Sequence, residues 1–334
     1  MNAKTNIAVI GLGGIAQVVH LPILSKLNNV NISSVAEVNK NRLNVVSDKF
    51  GIKDRYSDYR KILDNKNVDA VLIATPTNTH LPIALDCISA GKHVLIEKPV
   101  ARNFEETEQI YNAAKKHKRL AMVGMNLRFR PDAMLLKSVI NSGELGEIFY
   151  IRCSWLRKQS SQQKWFMKKN ESGGGVLIDL GIHLIDLALW LVDFPNVKSA
   201  SVQTYKHRTK GVEDSAVGFV RLKNSTVLNF EFSWSLHSEQ DSMLLTTFGT
   251  EGTAHLNPLR AYKRIESSRI DYTPATNSNP KNLFKKSYEN ELKHFVAAVR
   301  GTNPIISSCE EALTRMKLLS VLYDSSNKNS EISY

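Results

Sequence analysis

The feature that most constrains this chain lies near its start. A strand-like apolar run, Ile7–Ile10, gives way to Gly11-Leu12-Gly13-Gly14-Ile15-Ala16, and a helical pattern, Ala16–Leu27, follows at once. Strand, glycine turn and helix in that order form the phosphate loop of a dinucleotide-binding βαβ unit. Gly11 is expected to permit the tight turn and Gly13 to let the backbone approach a pyrophosphate. Ala16, in place of a third glycine, is small enough for close helix–strand packing. Gly14 and Ile15 complete the loop, and the helix start offers its free N–H groups to phosphate. Glu37 ends the next strand-like run, Ile32–Glu37, about 20 residues further on, where such folds place an acid for the adenosine ribose. A carboxylate there accepts from a free 2′-OH and repels a 2′-phosphate, so NAD is expected over NADP. Lys40 and Arg42, just downstream, soften that preference.

The rest of the first third keeps the same rhythm. Strand-like runs Ala70–Ala74, His93–Ile96 and Leu120–Val123 alternate with helical patterns Lys40–Phe50, Leu81–Ala90 and Phe104–Lys116. Gly51 and Gly91 stand where helices should end. Alternating strands and helices imply a parallel sheet. After about Gly124 the rhythm changes. A helix, Asp132–Asn141, leads to a strand, Ile148–Trp155, and a polar stretch from Arg157 to Ser172 ends in Gly173-Gly174-Gly175. A long helical pattern, Val176–Val192, is followed by strand-like runs Lys198–Tyr205, Ser215–Leu222, Thr226–Trp234 and Met243–Phe248. Consecutive strands without helices between them predict a mainly antiparallel sheet. Tyr272–Pro280 reads as a loop, Tyr288–Arg300 and Cys309–Tyr323 as helices, and the polar tail from Asp324 is expected to fray. The expected fold class is therefore α/β: an N-terminal Rossmann domain over 1–124 and a C-terminal α+β domain over 125–334.

Three further motifs fall where this architecture binds ligands. Thr75-Pro76-Thr77-Asn78-Thr79-His80 follows a strand's C-terminal end, the rim of an open α/β sheet. Helix capping by Asn78 or Thr79 serves as well, and His80 fits a structural role equally. Glu97-Lys98-Pro99 sits on the same rim, and Lys98 can stabilise negative charge on a substrate oxygen, although a lone lysine is more often a surface residue. Asp179 and His183 are spaced i, i+4 on one helical face, with Asp186 three residues on. A histidine with neighbouring carboxylates has the parts of a general base. A metal site and a purely structural histidine are the rival readings, and no metal is expected, because nothing else stands at ligand spacing.

Composition removes several classes. Hydrophobic residues make up 42% and charged residues 23%, an ordinary globular balance. No run of about 18 apolar residues appears, so no membrane span is expected. The formal charge is +12, but the charges are scattered, and the densest cluster, Lys115 to Arg119, suits a helix C-terminus. Nucleic-acid binding is not expected. Cys87, Cys153 and Cys309 lack redox or zinc spacing and read as buried thiols of a reducing compartment. Residues Met1 to Ile10 lack a secretory pattern, so a cytoplasmic location is expected.

Taken together, Gly11–Ala16, Glu37, Thr75–His80, Glu97-Lys98-Pro99 and Gly173–His183 resemble the Gfo/Idh/MocA oxidoreductases in order and spacing. The Glu-Lys-Pro and Asp-x-Gly-x-His motifs are the specific part of the resemblance. It implies a Rossmann domain followed by an open-faced sheet that builds homodimers or homotetramers. It also implies hydride transfer between NAD and a secondary alcohol of a sugar, inositol or related polyol. Lys98 then matches the motif lysine near nicotinamide and substrate, His183 the catalytic histidine and Asp179 its partner acid. Glu97, Thr75, Pro76, Asn78 and His80 fall on the cofactor side. Arg128, Arg130, Lys164 and Trp165, with Arg157 and Lys158, are candidate substrate contacts. Two alternatives stay open: a non-redox glycosidase-like enzyme that retains NAD, and a sensor without turnover.

Overall fold

The computed structural model describes residues 4–158, 167–237, 239–275 and 279–334. The chain forms two compact units, Met1–Asn126 with Tyr288–Leu313, and Leu127–Ser287 with Thr314–Tyr334.

The first unit is built on six parallel strands, β1 Thr5–Ile10, β2 Val30–Ala36, β3 Arg55–Tyr56, β4 Ala70–Ile73, β5 His93–Glu97 and β6 Ala121–Gly124, in the order β3-β2-β1-β4-β5-β6. The order reverses between β1 and β4, and ligands of doubly wound sheets bind at the C-terminal ends beside such a switch. Ile7–Ile10, Ala70–Ile73 and Val94–Ile96 are all buried, as unbroken apolar strands must be when helices cover both faces. The helices are α1 Leu21–Leu24, α2 Lys40–Phe50, α3 Arg60–Leu63, α4 His80–Ser89 and α5 Phe104–His117. A π turn, Ala16–His20, precedes α1 where the sequence suggests plain α-helix.

Helix ends follow their caps. Asn39 accepts from Arg42 N–H at the start of α2, which closes on Gly51 in the left-handed region (φ 66°). Asn103 caps α5 in the same way. Its first turn carries Glu105 and Glu106, and its last turn Lys115, Lys116 and His117, so the basic cluster complements the helix dipole as expected.

Residues 288–313 return to this unit. The helix Leu283–Val299 buries Tyr288, Leu292, Phe295 and Val296. Beyond it, Ser307 O accepts Val123 N–H at 2.8 Å, and Met122 bridges Ser308. The edge of β6 is thereby paired rather than left open. A single boundary near residue 124 does not capture this return, because edge pairing joins segments far apart in sequence.

The second unit carries a nine-stranded sheet: β7 Ile148–Leu156, β8 Val197–Tyr205, β9 Ser215–Leu222, β10 Val227–Ser233, β11 Ser242–Gly249, β12 Gly252–Leu256, β13 Arg260–Ile265, β14 Ser268–Asp271 and β15 Ile332–Ser333. Every neighbouring pair is antiparallel except β7 with β10. The sequence reading omits β12–β14: β12 is short, and Arg and Lys residues in β13 and β14 hide their alternation. It also expects the tail to fray. Instead the helix Cys309–Lys328 runs on past Asp324, and β15 pairs with β8. Ser325 holds that tail, donating from Oγ to Ser330 O at 2.7 Å while accepting Val202 N–H at 3.1 Å.

Helices α6 Pro131–Asn141, α7 Lys169–Ser172 and α8 Ile182–Leu191 belong to this unit, with a π turn, Leu177–Gly181, leading into α8. Along β9 alternate residues Ala216, Gly218, Val220 and Leu222 are buried, so one face of the sheet is covered. Helix α8 lies on that face, with Leu184 O 3.7 Å from Cys153 Sγ on β7. The stretch Lys169–Leu191 is long and apolar enough to cross a membrane, which the sequence reading does not foresee. Its most apolar window is 94% buried inside the fold, the mark of a core helix. All three cysteines are free and buried, as expected.

Candidate functional site

The site residues fall into two groups, one in each unit. In the first unit, Gly11 closes β1 with φ 91°, and a Cβ there would stand 2.6 Å from Ala74 O. Glycine is thus required by both backbone and neighbour. Gly13 and Gly14 differ: a Cβ on either would meet nothing within 4 Å. The protein's own packing does not demand glycine there. The uncovered backbone is a cradle into which a pyrophosphate fits, and the loop meets that test for a dinucleotide. Ala16 is wholly buried, consistent with close packing of the helix.

Glu37 is buried, and its carboxylate has more work than the sequence suggests. Oε2 accepts Leu12 N–H at 3.0 Å and lies 3.3 Å from Arg42 Nη1, while Oε1 accepts Asn39 N–H at 2.9 Å. The acid therefore holds the glycine loop to the end of β2. A carboxylate offers about four acceptor positions, so one remains for a ribose hydroxyl.

The Thr75–His80 segment follows β4. Pro76 and Asn78 are exposed at the rim, and Thr75 is half-buried. Thr79 Oγ1 lies 2.7 Å from both Thr75 Oγ1 and Pro76 O, which fixes the turn. Neither Asn78 nor Thr79 caps α4 with its side chain. His80, counted among the cofactor contacts in the sequence reading, is buried instead. Its Nε2 lies 2.8 Å from Thr75 O and its Nδ1 2.9 Å from Pro99 O. Its job is to tie two rim loops together, and burial pushes its pKa down.

Lys98 is half-buried at the end of β5, and the Lys98–Pro99 peptide is cis. Lys98 N–H donates to Glu97 Oε2 at 3.1 Å, and Glu97 Oε1 lies 2.6 Å from His20 Nε2. Burial alone would raise the Glu97 carboxyl. The His20 hydrogen bond and the nearby positive charges outweigh it and hold the group below the usual glutamate range.

In the second unit, Asp179 lies on the π turn and His183 on α8. Trp234 Nε1–H donates to Asp179 Oδ2 at 3.1 Å, and the Trp155 ring lies 5.7 Å from the His183 ring. His183 is 6% exposed, and Asp179 is half-buried. Gly181 lets this turn approach β10, because a Cβ there would stand 2.9 Å from the Phe232 ring. Two of the three glycines before the turn have a steric origin. A Cβ on Gly174 would strike Tyr323 Oη, and one on Gly175 the Glu213 backbone. Glu213 Oε1 accepts from Gly175 N–H, Leu177 N–H and Tyr323 Oη–H, at 3.0, 3.1 and 2.8 Å. Burial raises the Glu213 carboxyl against those donors. Trp155, Trp234, Glu213 and Tyr323 escape the sequence reading, since only the fold brings them to this turn.

Asp186 does not join Asp179 and His183. It is buried between two guanidiniums, accepting from Arg128 Nε and Nη2 at 2.7 and 2.6 Å and from Arg315 Nη1 at 2.6 Å. Arg128 is wholly buried in this pairing, which corrects its expected place as a substrate contact. Arg130 is likewise buried, paired with Asp132 and 2.6 Å from Asn257 Oδ1. Arg157 pairs with Asp241 at the surface. Lys164 and Trp165 lie outside the described residues. Asp186→Asn should destabilise the protein by about 3–5 kcal/mol, since it leaves buried guanidiniums without their counter-charge. Urea unfolding measures this, and a change below about 1 kcal/mol would show the triad to be dispensable. Among the described residues no group of three His, Cys, Asp or Glu could hold a metal ion.

Known proteins resemble this chain in sequence and fold. Residues 5–125 match an oxidoreductase family described as having an NAD-binding Rossmann fold, and residues 134–255 match the GFO/IDH/MocA C-terminal domain. The chain is 25% identical to D-glucoside 3-dehydrogenase of Escherichia coli, covering 99% of this chain and 98% of that protein. It is 30% identical to levoglucosan dehydrogenase of Pseudarthrobacter phenanthrenivorans over 71% of this chain and 67% of that protein. A solved structure of levoglucosan dehydrogenase in complex with NADH and L-sorbose superposes with a TM-score of 0.90 at 24% identity, covering 99% of each chain. With both halves matched in order, the chain belongs to the Gfo/Idh/MocA family of oxidoreductases.

Proposed function

We propose that this protein is an NAD-dependent dehydrogenase of a secondary alcohol on a sugar, inositol or related polyol. The observation that carries the reading is the uncovered phosphate cradle at Gly13 and Gly14, in a chain that also carries the candidate proton-transfer residues Lys98, Asp179 and His183. Relatives named as dehydrogenases of glucosides, levoglucosan and inositols support the substrate class. When bound, the nicotinamide ring supplies the hydride acceptor or donor.

The protein's own residues do the rest. Gly11 to Ala16 hold the pyrophosphate, and Glu37 takes a ribose hydroxyl. In the oxidation direction His183 removes the hydroxyl proton, and Asp179 steadies the charge that develops on the ring. Lys98 donates a hydrogen bond to a substrate oxygen and eases its deprotonation. In the reverse direction His183 returns the proton.

NAD is preferred over NADP because a Glu37 carboxylate near the adenosine ribose would repel a 2′-phosphate, with Arg42 offsetting part of its charge. Glu37→Ala should raise the Kd for NAD by about tenfold or more, the loss of a charged hydrogen bond, and narrow the NAD/NADP ratio. Fluorescence titration with both nucleotides checks it; an unchanged ratio contradicts the assignment.

The protein acts in the cytoplasm, as a homodimer or homotetramer assembled through the second unit's sheet. Tyr205 and Val217, on the other face of the sheet from its buried residues, are exposed and support that assembly.

A panel of sugars, inositols and sugar nucleotides with NAD and NADP, followed by nicotinamide absorbance, tests the function. Turnover with a polyol and NAD supports it. Cofactor retained through glycoside cleavage with no net NADH would instead make this a non-redox enzyme, and binding without any turnover a sensor.

A further inference from the structure

His20 lies outside every motif that the sequence singles out, yet it is a buried histidine bonded to the residue before Lys98. It is the last residue of the π turn after the glycine loop, and it is 1% exposed. Its Nε2 lies 2.6 Å from Glu97 Oε1. Its Nδ1 is buried and meets no polar partner among the described residues. Glu97 is therefore the polar contact that a histidine serves at this position. An aliphatic residue would otherwise suit so buried a place.

Glu97 faces both ways. Through Oε1 it meets His20, and through Oε2 it accepts Lys98 N–H. Room for that carboxylate comes from Gly124, its register partner on β6, where a Cβ would stand 3.4 Å from Oε2. Tyr288 closes the other side, its ring edge-on to His20 with centroids 5.9 Å apart. Burial, then the charges of Glu97 and Glu291, raise the Tyr288 phenol well above its usual value, so it stays neutral. The charged and titratable groups around Glu97 are thus His20, Lys98, His80 and Tyr288, with Glu291 beyond the tyrosine.

We propose that His20 is a positioning residue: by hydrogen-bonding Glu97 it keeps an ionised carboxylate locked against the Lys98 backbone, and so couples the cofactor-loop helix to the Lys98 loop. The inference rests on the dehydrogenase reading for its effect on turnover, but not for its effect on Glu97. Without His20, burial still acts on Glu97 and the opposing hydrogen bond is gone, so its carboxyl takes up a proton at higher pH. The sign follows. The ionised form holds Lys98 in place, and activity is lost as pH falls through the raised Glu97 value.

The test compares wild type, His20→Leu and His20→Gln, the glutamine amide placing an N–H donor near the Nε2 position. His20→Leu should retain NAD binding within a few-fold and lower kcat about tenfold at neutral pH. It should also move the acid limb of the pH profile up by about one pH unit or more. His20→Gln should restore most of both. A uniform loss at all pH values, or a glutamine variant no better than leucine, overturns the proposal. If His20→Leu does not fold, His20→Asn supplies the contrast, because its shorter amide does not reach Glu97. Infrared titration of carboxyl groups gives a readout independent of turnover: a protonated band should appear at higher pH in the leucine or asparagine variant. Wild-type inactivity on every polyol counts against the dehydrogenase reading alone. An unmoved carboxyl band counts against His20.

Discussion

Replacing His183 by alanine is expected to cut turnover by about 10²–10⁴-fold, the range that general acid–base catalysis contributes. The ring is held by α8, only 6% exposed, with Trp155 beside it, so its loss should be felt at the reacting oxygen rather than in cofactor binding. NAD affinity should stay within a few-fold, because the glycine loop and Glu37 belong to a separate unit. The effect should be present in kcat at saturating substrate and should shrink as pH rises, when hydroxide takes over deprotonation. Steady-state kinetics with a circular dichroism check on folding measure it. Turnover within twofold of wild type would remove His183 from the mechanism.

Lys98→Met keeps most of the side chain's length and apolar stem while removing the ammonium. Loss of one donor to a developing oxyanion typically costs about 10²–10³-fold in kcat. Here the substitution also leaves Glu97 without the positive charge that helps keep it ionised. Hydride transfer should therefore slow by at least that range, with NAD still bound. Rapid-mixing absorbance under single-turnover conditions separates the two steps. Loss of NAD binding with normal hydride transfer in the residual complex would assign Lys98 to the cofactor instead.

Much of this was legible in the residues, because the signals are local. A glycine forced to positive φ at the end of a strand, an acid closing the next strand, and apolar runs alternating with helices are short-range consequences of chain geometry. The parallel sheet and the second unit's strands β7–β11 follow from them. What stayed hidden depends on contacts between distant segments. Arg128 reads as a cation available to a ligand until the Asp186 carboxylate, shared with Arg315, is seen to consume it. His80 reads as a rim residue until the Thr75 and Pro99 carbonyls claim both ring nitrogens. Glu213 and Tyr323, which seat the turn carrying Asp179, are far apart in sequence, and no spacing rule joins them. Gly174 and Gly175 were the available trace, since their crowding implies something pressed against them. The π turns at Ala16–His20 and Leu177–Gly181 are beyond a periodicity argument, which assumes a regular helix.

The central claim is direct hydride transfer between a substrate carbon and the nicotinamide. It is tested most directly by giving the enzyme a polyol identified from the panel with deuterium on the carbinol carbon, and analysing the reduced cofactor by mass spectrometry. One deuterium carried into the nicotinamide ring is the expected result, together with a slowed rate. Cofactor reduced without deuterium, or product formed with the label lost to solvent, would contradict it.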